Sequence, residues 1–146
     1  PALVGEGISA LFANEQAKNS LAKAESIFAA VGDVVLVDDE SQLDAVTAIS
    51  GSGPAYFFLF MEELIKAAIN LGLSEEIARK LVLQTAKGAA VLASQSDDSP
   101  SELRKKVTSP DGTTEAALKV FAENDFGKII ADAAKAADER SKELSN

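Results

Sequence analysis

The sequence predicts a mainly α-helical chain, a helical bundle preceded by a short β-α-β piece, and three observations carry that expectation. First, its 146 residues hold 26 alanines and four prolines, and alanine is the strongest intrinsic helix former. Second, from Ser41 onward, capping serines and threonines and glycine stops punctuate stretches of helical length. Third, before residue 39 two apolar runs, one carrying glycines and one rich in valine, flank a stretch with helical periodicity. The boundary falls at Asp38-Asp39-Glu40, which divides the chain into residues 1–39 and 40–146.

In chain order, residues 2–13 (ALVGEGISALFA) read as a strand whose glycines sit where another backbone comes close, with a short helix as the alternative. Asn14 offers a cap for a helix over residues 15–31, which aligns Ala17, Leu21, Ala24, Ile27, Phe28 and Val31 on one face and closes at Gly32. Val34 to Val37 reads as a buried strand because β-branched side chains dominate it. Two strands alone do not make a stable sheet, so these two need strands from elsewhere.

Ser41 to about Ile49 reads as a short helix, followed by a tight break at Ser50-Gly51-Ser52-Gly53 and by Pro54 in the first turn of the next helix. That helix, residues 54–71, is apolar nearly all round from Tyr56 to Met61, and Gly72 ends it as a left-handed cap. A helix without a polar face has to be surrounded by protein, which predicts at least a dimer. Glu62 and Glu63 on this helix need a partner, and Lys66 stands at the right spacing.

Ser74 caps a helix running to about Gln95, with Glu75 and Glu76 complementing its dipole. A polar loop over residues 96–101 leads to a short segment, residues 102–106, that Ser101 can cap. Ser109-Pro110-Asp111-Gly112 is a turn by composition. Thr113 or Thr114 then caps a helix to Glu123, and a last helix covers residues 126–144.

Composition removes much chemistry before any motif is sought. The chain has no histidine and no cysteine, which excludes imidazole-dependent serine and cysteine triads, the common zinc sites, Glu-x-x-His di-iron sites and disulfides. No metal is expected. A net charge of -9 and the lack of any Lys/Arg run with interleaved aromatics argue against nucleic acid. The longest apolar stretches, such as Ala55 to Met61, fall far short of a membrane span, and no signal peptide pattern is present. The opening residue, Pro1, leads us to expect a chain that starts mid-sequence or a proteolytic fragment.

Two segments invite a functional reading. Ser50-Gly51-Ser52-Gly53-Pro54-Ala55-Tyr56 mimics the opening of a dinucleotide-binding glycine fingerprint, but Tyr56 replaces the third glycine and the preceding segment is helical. A helix–helix corner with close backbone contact is the better reading. Val107 to Glu115 feeds a Pro-Asp-Gly turn straight into a helix start, directing unpaired N–H groups of Gly112, Thr113 and Thr114 to one point. Such a point suits a carboxylate, although an ordinary capped helix is the plainer alternative, and Asp111 and Glu115 disfavour an anion unless they point away.

The stretches Asp44 to Tyr56 and Val107 to Thr114 strongly resemble the two signature segments of the pyrroline-5-carboxylate reductases, and Pro1 to Gly7 (PALVGEG) is similar to a further stretch of that family. The resemblance covers the whole chain and implies the family's C-terminal half. Residues 1–39 would be the terminal β-α-β remnant of a Rossmann-type sheet and residues 40–146 an all-helical dimerisation and substrate-loop domain. It further implies a homodimer or higher homo-oligomer, a cytoplasmic location, and reduction of the ring imine of pyrroline-5-carboxylate to proline in proline biosynthesis. NADPH or NADH would be bound mainly by an N-terminal domain that this sequence lacks, so the isolated chain is expected to be inactive. Other expectations stay open: a helical oligomerisation module without ligand, or a related imine or hydroxyacid reductase domain.

Carried over position by position, the resemblance implies that Ser109, Pro110, Asp111, Gly112, Thr113 and Thr114 bind the substrate. Thr114 gives the ring nitrogen a hydrogen bond and serves as the catalytic residue. Glu40 matches a position lining the substrate site, Lys106 a position near the cofactor, and Ser52, Gly53 and Pro54 a structural corner. Two departures are visible: Asp111 stands where relatives often have glycine, and Lys106 where some have asparagine.

Overall fold

The computed structural model describes residues 1–145. It folds as two compact units, one formed by Pro1–Ala55 with the segment from Ala131 onward, the other by Tyr56–Ile130. The segment from Ala131 onward is tied into the first unit by a hydrogen bond between Ser141 and Asp44.

In the first unit, a short 3-10 turn over Ala2–Val4 precedes β1 (Gly7–Leu11). Fewer than half of the residues of the expected strand are therefore extended. The predicted helix over residues 15–31 is also shorter: the Asn14 side chain accepts from the Ala17 N–H at 3.0 Å, a 3-10 turn spans Lys18–Ser20, and α1 itself covers Leu21–Phe28. Asn19 and Ser20 have lower intrinsic helix propensity than the leucine and alanines that follow, in keeping with the later start. β2 (Gly32–Leu36) runs parallel to β1 in a two-stranded sheet, so the β-α-β reading holds.

Gly7 pairs with Gly32, and a Cβ on Gly32 would stand 2.0 Å from the Gly7 carbonyl oxygen. Gly32 also has φ 150°, a conformation that side chains resist. The small residues expected at a close backbone approach are therefore required there.

α2 (Gln42–Val46) continues into an i→i−5 turn over Thr47–Gly51, in which the Ser52 N–H donates to the Thr47 carbonyl at 2.8 Å. α3 (Gly53–Asn70) follows directly. The tight break expected at Ser50 to Gly53 is thus a widened helical turn. Pro54, without an N–H, cannot continue the normal ladder. The Thr47 and Ser50 hydroxyls donate to the Leu43 and Val46 carbonyls at 2.8 and 3.0 Å, which helps bend the helix. Ala48 is buried, and the Ser141 hydroxyl near the chain end donates to Asp44 Oδ1 at 2.6 Å.

In the second unit, α3 turns Met61, Ile65 and Ala68 inward while Phe57, Phe58, Leu59 and Phe60 remain exposed. Lys66 Nζ lies 2.6 Å from Glu62 and 2.8 Å from Glu63, the partnership their spacing predicts, and its pKa is raised by these hydrogen bonds. Gly72 has φ 99° and ends this helix as expected. α4 (Glu75–Gln95) buries Ala78 and Val82 on one stripe, and Ser74 caps it by accepting from the Ile77 N–H at 3.4 Å. α5 (Pro100–Lys106) starts two residues earlier than predicted. Ser99, not Ser101, caps it, because Glu102 completes a reciprocal capping box with Ser99 and Pro100 fits the first helical position.

α6 (Thr113–Glu123) and α7 (Phe126–Ser145) complete the chain, with the Phe121 and Phe126 rings 5.1 Å apart. The ends of α7 agree with sequence to within a residue. No helix among the described residues is long and apolar enough to cross a membrane.

Candidate functional site

The site builds up from the end of α5. The Thr108 hydroxyl donates to the Arg104 carbonyl at 2.7 Å and closes that helix. The chain then reverses in a turn over Ser109–Gly112, with the Gly112 N–H donating to the Ser109 carbonyl at 3.1 Å. Pro110 occupies the second position and Asp111 the third, at φ 57°. Positive φ in the third position favours glycine, and aspartate is among the few side chains that tolerate it. The Asp111 N–H donates to Glu115 Oε2 at 2.7 Å.

Gly112, rather than Thr113 or Thr114, is the N-cap of α6, and no side chain caps this terminus. The turn's own hydrogen bond makes Gly112 the last non-helical residue, so both threonines fall inside the first helical turn. A Cβ on Gly112 would stand 2.5 Å from Ser109 Oγ and 3.0 Å from the Ser109 carbonyl oxygen. The first helical bond runs from the Ala116 N–H to the Gly112 carbonyl at 3.1 Å. The N–H groups of Thr113, Thr114 and Glu115 therefore have no acceptor among the described residues.

Of the three amides expected to converge, the Gly112 N–H is taken up within the turn; the other two are open, as is that of Glu115. Thr114 is half-buried and its hydroxyl makes no hydrogen bond among the described residues, while Thr113 is exposed. A groove of ≈ 620 Å³ runs along the flank of α6 from Asp111 past Glu115 to Lys119, and neither threonine lines it.

The remaining residues singled out by sequence lie elsewhere. Lys106 ends α5 and is ion-paired with Asp98, which holds the Asp98 carboxyl below the usual aspartate range. Glu40 is exposed between β2 and α2, in the first unit, whereas the 109–114 turn belongs to the second. Ser52, Gly53 and Pro54 join the widened turn to α3. Gly53 is buried, yet a Cβ there would meet nothing within 4 Å, so the expected close backbone contact at this corner is not made by this chain.

A second cavity, of ≈ 580 Å³, opens at the carboxyl ends of β1 and β2 between Leu11, Asn14, Lys18, Leu36 and Asp38. Sequence reasoning did not single it out, although strand carboxyl ends are the usual ligand side of parallel sheets. No group of three or more acidic, histidine or cysteine side chains among the described residues is placed to hold a metal. Gly51 and Gly53 lie within or beside helical turns, as the rejected glycine fingerprint requires.

Residues 40–144 match the family model described as pyrroline-5-carboxylate reductase dimerisation. The chain is 51% identical over 146 residues to a pyrroline-5-carboxylate reductase of Pseudomonas aeruginosa, a match that takes in 99% of this chain and 54% of that protein. Among solved structures, a pyrroline-5-carboxylate reductase of Coxiella burnetii superposes with TM-score 0.93 at 47% identity, covering 98% of this chain and 53% of that one. The Plasmodium falciparum pyrroline carboxylate reductase crystallised with NADP bound gives TM-score 0.89 at 36% identity, covering 100% of this chain and 59% of that one. The chain thus spans about half the length of the curated relatives it matches. With a family model over most of its residues and a close relative along its whole length, the chain belongs to the pyrroline-5-carboxylate reductase family.

Proposed function

We propose that this chain is the C-terminal part of an enzyme that reduces the ring imine of pyrroline-5-carboxylate to proline in proline biosynthesis, in the cytoplasm. Residues 1–39 are then the end of the dinucleotide-binding domain and residues 40–146 the dimerisation and substrate-loop domain. The observation that carries this reading is the open terminus of α6 in a chain of this family: the Thr113 and Thr114 amides have no acceptor among the described residues.

In the proposed site those amides, with the positive end of the α6 dipole, hold the substrate carboxylate. Ser109 adds a hydroxyl, while Pro110, Asp111 and Gly112 shape the turn. The Thr114 hydroxyl, without another partner, donates to or accepts from the ring nitrogen and so fixes which face of the C=N bond is presented. Hydride comes from NADPH or NADH, held mainly by a domain outside this chain. When hydride adds to the imine carbon, the π electrons pass to nitrogen, which in the protonated iminium becomes a neutral secondary amine. A threonine hydroxyl is far too weak an acid to supply that proton at neutral pH, so Thr114 orients and the iminium's own proton or solvent completes the step. Position, rather than acid–base strength, is what this chain contributes. Glu40 is assigned to the rim of the substrate site and Lys106 to the cofactor side, where binding requires Lys106 to leave Asp98.

The reading is tested with the complete protein. Thr114→Ala should lower kcat for pyrroline-5-carboxylate about tenfold or more. Unchanged steady-state kinetics remove Thr114 from the mechanism, and an inactive unsubstituted enzyme removes the whole assignment.

The same chain is proposed to act as a homodimer or higher homo-oligomer. Phe57 is 69% and Phe58 63% exposed, which supports a second copy packing on α3. Sedimentation of the complete protein at micromolar concentration should give at least twice the chain mass; a single-chain mass contradicts the proposal.

A further inference from the structure

Resting on the substrate-loop reading, we infer that Glu115 is a positioning residue for the substrate carboxylate, holding the 109–114 turn through the Asp111 N–H while keeping its own charge off the Thr113 and Thr114 amides. Glu115 is the third residue of α6, the place from which a glutamate normally reaches back to the N-cap N–H. Glu102 does so in α5, accepting from the Ser99 N–H at 2.8 Å. In α6 the corresponding N–H, that of Gly112, is already donated to Ser109. Glu115 therefore reaches one residue further, to Asp111 at 2.7 Å.

Two consequences follow from that longer reach. The bond helps hold Asp111 in its left-handed conformation, φ 57°, which aspartate tolerates better than most side chains but does not by itself enforce. It also places the Glu115 carboxylate beside Asp111 on the groove side of α6, whose lining includes Lys119 and excludes both threonines. A carboxylate three residues into a helix would otherwise be free to fold over its first amides, where it would compete with an anionic substrate. The clasp thus resolves the conflict between a nearby acidic side chain and a site that takes an acid.

The test uses the complete reductase and separates shape from charge. Glu115→Gln keeps an acceptor oxygen of the same reach and loses the charge; Glu115→Asp keeps the charge and loses the reach; Glu115→Ala loses both. The clasp predicts KM for pyrroline-5-carboxylate at or below that of the unsubstituted enzyme in Glu115→Gln. It predicts KM raised about fivefold or more in Glu115→Asp and Glu115→Ala, the scale of one lost charge-assisted hydrogen bond, with KM for the nicotinamide cofactor unchanged. Should Glu115→Ala fail to fold, the Gln and Asp variants still decide. An unchanged KM in Glu115→Asp, or a raised KM in Glu115→Gln, overturns the inference while an active unsubstituted enzyme leaves the substrate-loop reading standing.

Discussion

The starts of α5 and α6 lie only thirteen residues apart, counting from Ser99 to Gly112, and solve the same problem in opposite ways. At α5 a serine closes the terminus: Ser99 Oγ accepts from the Glu102 N–H at 3.3 Å, and Glu102 Oε2 accepts from the Ser99 N–H at 2.8 Å. At α6 the N-cap is a glycine with no side chain to offer, and among the described residues the Thr113, Thr114 and Glu115 amides have no acceptor. A capping side chain would satisfy one of these amides, and the terminus forgoes that stability. The difference teaches that the α6 terminus is shaped by the tight approach of Ser109, which crowds any side chain placed at the cap position.

The strongest way to break this contrast is to convert the second terminus into the first. Gly112→Ser introduces a Cβ where 2.5 Å separates it from Ser109 Oγ, and a hydroxyl able to capture the amides that the substrate needs. Both effects act in the same direction on turnover. We expect kcat/KM of the complete enzyme to fall about a hundredfold, the cost of displacing a substrate-positioning group by about an ångström. Retention of more than a third of the activity would show that the turn yields without disturbing the site.

How much of this was legible in sequence depends on how local the cause is. The starts of α4 and α7, the stop at Gly72 and the Lys66 partnership follow from residues within one helical turn, and the structure agrees with them. The close backbone approach at Gly7 was legible from the glycines of the first strand, whereas Gly32, read as the stop of the preceding helix, proves to be the other side of that approach. The helix over residues 15–31 was overestimated because its apolar spacing is continuous while Asn14 and Lys18 to Ser20 divert the backbone locally.

At the candidate site, Pro-Asp-Gly announced the turn, but the identity of the cap did not follow. Two threonines are better caps than glycine by propensity, and only the Ser109–Gly112 hydrogen bond assigns Gly112 that place. The reach of Glu115 to Asp111 was equally hidden, because the capping-box pattern requires serine or threonine three residues before the glutamate and the sequence has Gly112. The exposure of Phe57 to Phe60 was foreseen as a demand for surrounding protein, and within this chain the demand is unmet.

The smallest expected effect sharpens the same contrast from the closed side. Ser99→Ala opens the α5 terminus without touching the proposed site, so stability should fall by about 1 kcal/mol in denaturant titration at fixed protein concentration. Activity should stay within twofold. The Ser99 hydroxyl, and after it the Ser99 N–H, hold the Glu102 carboxyl below the usual glutamate range by hydrogen bonding to its charged form. A carboxyl whose pKa is lower in the folded state contributes stability that is fully present above the usual glutamate range. That contribution disappears as pH falls through the lowered folded value, since the unfolded chain binds the proton first. Ser99→Ala removes the larger of the two causes and with it most of this linkage. The stability gap between the two proteins should therefore be constant near neutrality and narrow on acidification below the glutamate range. A gap that widens in acid would mean that Glu102 draws its stabilisation from something other than the Ser99 clasp.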